Sequence, residues 1–110
     1  MNNTFKFLSE DKTIEYGEFP FVQSVNHPDY PDAILFRIGF YPGEEMVVKI
    51  TNFTNPRLVG EVIVDILTEF FMMEITNEMY RNFEMRLYTL FNINNVEILS
   101  ITTNVINNEN

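Results

Sequence analysis

The chain has 110 residues, 45% of them hydrophobic and none of them cysteine, which is enough for one core and excludes disulfides and thiolate metal sites. Sixteen acids against seven lysines and arginines leave a formal charge of −9. That balance disfavours direct nucleic-acid binding and attachment to an anionic membrane, because phosphate would be repelled. The N-terminus MNNTFKFLSEDK lacks an apolar run of signal-peptide length, and no segment reaches the ~20 apolar residues of a membrane span. The expected location is the cytoplasm, of a cell or of an infected host.

In chain order, the first half reads as strands. Phe5 and Phe7 alternate with Lys6 and Leu8, and Ser9–Lys12 turns the chain into a second short strand over Thr13–Tyr16. Phe19–Val25 is apolar and β-branched, with Pro20 confining its first residues to an edge or a bulge. Asn26–Asp32 is a loop whose prolines, Pro28 and Pro31, hold their predecessors extended. From Ala33 to Tyr41, Ile34, Phe36, Ile38 and Phe40 share one face; from Glu45 to Phe53, Met46, Val48 and Ile50 do the same. Pro42-Gly43 turns between them. Setting Ile38 beside Val48 aligns both apolar sets, implies a three-residue loop Pro42–Glu44, and puts Arg37 opposite Lys49. Like charges across strands are unfavourable, so a carboxylate is expected beside them.

The second half is helical. Asn55 caps a helix with Pro56 at its first position, and Val59, Val62, Ile63, Ile66, Leu67 and Phe70 recur at helical spacing. Gly60 within that stretch costs roughly 0.5–1 kcal/mol against alanine, which close packing on the sheet would explain. A second helix, capped by Thr76 or Asn77, buries Met79, Tyr80, Phe83, Leu87, Leu90 and Phe91 and ends at Asn92–Asn95. Val96–Ile101 is a last strand, free to join either edge or insert centrally, and the polar tail from Thr102 frays. The expected fold is α+β: an antiparallel sheet of about five strands, in the order β-β-β-β-α-α-β, with two helices on one face, in a single domain.

Catalytic machinery is not legible. His27 is the only histidine, and no serine sits in a nucleophile-elbow context. His27, Asp29 and Asp32 are suitable metal ligands on a short loop, but such residues more commonly satisfy turn amides. The four glycines are scattered rather than grouped into a phosphate loop. No enzyme activity, cofactor or metal is expected.

The acidity is the remaining signal. Abundant asparagine, isoleucine and phenylalanine, with Ala33 the only alanine, suit an AT-rich coding sequence, which would also supply lysine; only Lys6, Lys12 and Lys49 occur. The missing cations therefore point to a maintained charge, against the plainer reading that negative charge keeps a small domain soluble. Glu61, Asp65 and Glu69 stand at i, i+4, i+8 on the first helix, a spacing at which like charges cost about 0.2–0.5 kcal/mol per pair. Arg57 can offset Glu61. This row, extended by Glu74 and Glu78, is the expected contact for a basic surface on a partner protein. Phage-encoded inhibitors of host or defence nucleases, nucleic-acid mimics and toxin-neutralising immunity proteins share that logic. The alternative is a structural or assembly protein, in which Met72, Met85 and Tyr88, off the buried stripes, could form a homodimer face.

Overall fold

A computed structural model describes residues 5–52, 55–70 and 77–102. The elements are β1 (Lys6–Leu8), β2 (Phe21–Val25), β3 (Ala33–Tyr41), β4 (Glu44–Thr51), α1 (Pro56–Phe70), α2 (Asn77–Phe91) and β5 (Val96–Thr102). The fold is α+β, with strand order β1-β2-β3-β4-β5 in one sheet. The last strand therefore takes an edge, beside β4.

Two features of the sheet differ from expectation. β1 pairs parallel to β2, so the sheet is mixed. The segment expected as a strand over Thr13–Tyr16 is instead part of the crossover that parallel pairing demands, and ends in a 3-10 turn at Tyr16–Glu18. The β3–β4 register is also displaced by two residues: Ile38 faces Met46 and Phe36 faces Val48. The tip is the two-residue turn Pro42-Gly43, with Gly43 at φ 85°, and an irregularity between Gly39 and Tyr41 absorbs the extra residue. A two-residue slip leaves every side chain on its expected face, which is why the alternation could not detect it. Arg37 consequently faces Val47 and Lys49 faces Leu35. Each still has its carboxylate: Glu45 lies 2.9 Å from Arg37, and Glu97 2.9 Å from Lys49.

Both helices cover one face. Val22, Phe36, Ile38, Met46, Val48 and Ile50 from the sheet are sealed by Val59, Ile63, Ile66 and Leu67 of α1 and Met79, Phe83 and Leu87 of α2. Asn55 caps α1 as expected, its Oδ1 accepting from the amides of Arg57 and Leu58. Gly60 sits against the sheet: a Cβ there would lie 2.6 Å from Cζ of Phe7. Two positions assigned to the buried stripes are on the surface instead, Val62 at the margin of α1 and Leu90, which is 51% exposed, on α2. Each helix packs on the sheet from one side only, so its buried arc is narrower than helical spacing alone suggested. Phe53, Thr76 and the tail beyond Thr102 lie outside the described residues, as does the side chain of Phe70.

The opposite face is covered by loops. Phe21, Gln23 and Leu35 are buried there. The Gln23 Nε2 donates to the carbonyls of Ser9 and Lys12, at 2.9 and 2.8 Å, pinning the crossover to β2. Its Oε1 accepts from Arg37, which stacks over the Phe21 ring and bonds Glu45. The far end of the molecule is stitched by asparagine: the Asn95 amide donates to the carbonyl of Phe91 at the end of α2, and its Oδ1 accepts from Asn52 beside β4.

Candidate functional site

The acidic row occupies the outward face of α1. Ile63, Ile66 and Leu67 take the inward arc, and Glu61, Asp65 and Glu69 are left in solvent. Successive members rise about 6 Å along the helix. Glu61 pairs with Arg57 at 3.3 Å within the helix. Glu69 has a partner that helical spacing could not reveal: Arg86 of α2 holds both its oxygens, at 2.6 and 3.2 Å. That fork holds the Glu69 carboxyl below its usual range, through the hydrogen bond first and the charge second. Asp65 has no lysine or arginine within ion-pair reach among the described residues.

These pairs remain exposed, with half or more of the side chain of Arg57, Glu61 and Glu69 in water. Exposed pairs contribute about 0–1 kcal/mol, so a partner's arginine can replace either of them at little cost. Glu78 lies in the first turn of α2, where a negative charge meets the positive end of the helix. Glu74 and Met72 lie outside the described residues.

The whole-surface tally has the same sign. Lys12, Arg37, Lys49, Arg57 and Arg86 are each committed to a carboxylate, and Lys6 donates to the carbonyl of Gly17. Glu10, Asp11, Glu15, Asp32, Glu44, Asp65 and Glu78 have no such partner among the described residues. They are spread over the crossover, the loop end, the hairpin tip and both helices rather than gathered on one face.

The other residues singled out by sequence are placed as follows. Met85 points into solvent, 57% exposed. Tyr88 packs partly against the core and donates its hydroxyl to Glu84 one turn earlier. His27 accepts the amide of Asp29 on Nδ1 at 3.1 Å, the turn-satisfying role. No three His, Asp or Glu among the described residues come together to hold a metal ion. Sequence reasoning passed over Tyr16, 82% exposed, and Tyr41, 56% exposed. Both lie toward the hairpin end, where β2 begins opposite Gly39. Exposed tyrosine is enriched in interfaces, but the signal was hidden because each reads as an ordinary strand position.

The hydrogen bond to Glu84, aided by desolvation and the negative charge, pushes the Tyr88 phenol up to about 12. A folded value above the unfolded one near 10 means this contribution is complete below pH ~10 and lost as pH rises through about 12. An ultraviolet titration of Tyr88→Phe should therefore lack a late-ionising phenol that wild type shows. A spectrum identical to wild type would remove the assignment.

No helix among the described residues is long and apolar enough to cross a membrane. Comparison with protein-family models, curated proteins and solved structures finds no match to this chain.

Proposed function

We propose that the protein is a non-enzymatic binding protein that engages a basic site on a partner protein, with the outward face of α1 as its contact. The observation that carries this reading is the carboxylate surplus: among the described residues five of the seven cations are already in ion pairs, yet Asp65 stands without one between two exposed glutamates. An ordered carboxylate row of this kind suits an arginine- or lysine-lined groove, including one that otherwise holds nucleic acid. Inhibition of such a protein follows from occupancy of the groove.

The partner captured from the native cell should bind roughly tenfold or more weakly at about 0.5 M than at about 0.05 M salt, since screening shortens the reach of charge. Asp65→Lys combined with Glu69→Lys should abolish capture while leaving the far-ultraviolet spectrum unchanged. Capture that ignores both salt and the double reversal would eliminate this reading.

A further inference from the structure

The two helices leave an open seam between them. α1 begins four residues after Asn52, α2 ends four residues before Asn95, and the Asn52 side-chain amide donates to Asn95. The start of α1 and the end of α2 therefore share one end of the molecule, and the helices run antiparallel where they touch. The Arg86–Glu69 pair marks the flank that each helix turns to the other. Val62 lies two turns before Glu69, and Leu90 one turn after Arg86, so both fall on these facing flanks. Both nevertheless stay exposed, and Leu58, one turn before Val62, is 60% exposed.

This seam runs into the acidic row. At 3.6 residues per turn, Leu58, Val62, Asp65 and Glu69 fall within about 60° of one another around α1. The stripe they form is apolar over its first two positions and carboxylate beyond. A single exposed apolar side chain is ordinary on a surface, but three along one seam make a patch. The Arg86–Glu69 pair closes one end of it. Asp65, without an ion pair among the described residues, stands on its rim one turn from Val62.

The spacing and the charge select the occupant. Leu58 to Val62 is a step of about 6 Å and Val62 to Asp65 about 4.5 Å, one helical turn each. A helix laid along the seam presents groups from one face at the same intervals. A second copy of this chain would bring its own Glu61, Asp65 and Glu69 and a further charge of −9 against the same carboxylates. An anionic membrane would be repelled as well, and a site lined only by cations would leave the leucines uncovered.

We propose that the seam receives an amphipathic basic helix of the partner protein. An apolar side chain of that helix sits between Leu58, Val62 and Leu90, and an arginine or lysine one turn further on meets Asp65. This rests on the partner-binding reading above and narrows it: the partner's site combines an apolar anchor with its positive charge.

Fluorescence anisotropy of the full chain with three synthetic peptides tests this. The first is a helix of about eighteen residues with leucines and arginines along one face. The second has the same composition with the leucines scattered around it, and the third is oligoarginine. The first should bind about tenfold or more tightly than the other two, because only it brings an apolar anchor into register with the charge. Leu58→Ser with Leu90→Ser should remove that advantage and leave oligoarginine binding unchanged, whereas Asp65→Asn should weaken both. All three positions are exposed, so the circular dichroism of the variants should match wild type. Equal binding of the amphipathic helix and oligoarginine, or a helix indifferent to the double serine variant, would overturn the seam and leave the charged contact of α1 standing. Indifference to Asp65→Asn as well would remove both. Self-association of the chain that is lost in the double serine variant would assign the seam to a second copy and overturn the proposal.

Discussion

Gly60→Ala is expected to destabilise the protein by about 1–3 kcal/mol, the usual cost of overpacking. The sign is the point of the experiment. On an exposed helical surface the same change would stabilise by roughly 0.5–1 kcal/mol, because glycine gives up more backbone entropy on folding. Here the new methyl would sit 2.6 Å from Cζ of Phe7, a side chain of β1 that meets α1 at this glycine. Phe7→Leu in the alanine background should recover part of the loss, since the clash is with the ring itself. Gly39 has the same relation to Phe21 on the opposite face, with Cζ at 2.7 Å from an added Cβ. Equilibrium denaturation of the single and double variants measures both, and a stabilising Gly60→Ala would show that α1 does not approach the sheet this closely.

Gln23→Leu is the second large effect, expected to cost about 1–3 kcal/mol, the penalty for stranding buried polar groups. Gln23 is 3% exposed and its amide makes both side-chain contacts to the crossover, through Ser9 and Lys12. Leucine fills the space without replacing either donor, and it also removes the acceptor for Arg37. The crossover should loosen before the core does. Proteolysis within residues 9–20 should therefore accelerate by more than the global stability loss predicts. Equal protection of that segment in both proteins would show that other contacts hold it.

The elements that sequence resolved well share a local cause. The α1 start was legible because capping involves residues two and three positions apart, Asn55 with Arg57 and Leu58. The β3 and β4 faces were legible because alternation has a period of two. The carboxylates beside Arg37 and Lys49 were anticipated from the cost of uncompensated like charge, although the register that suggested them was displaced by two residues. Of the candidate contact, Arg57 with Glu61 could be read from helical spacing. Arg86 with Glu69 could not, since seventeen residues separate them.

By itself the amino-acid order determined the class of fold, both helices, the long strands β3 and β4 with the face each buries, and the negative character of the surface. These follow from short-range periodicity and from counting charges, and need no knowledge of which segments meet. Tertiary structure alone decided that β1 runs parallel to β2, that β5 takes an outer edge, that Val62 and Leu90 stay in solvent, and that Arg86 of α2 reaches Glu69 of α1. Each of those outcomes depends on contacts between segments far apart in the chain, where the entropy of closing a loop and the shape of the opposing surface outweigh local preference.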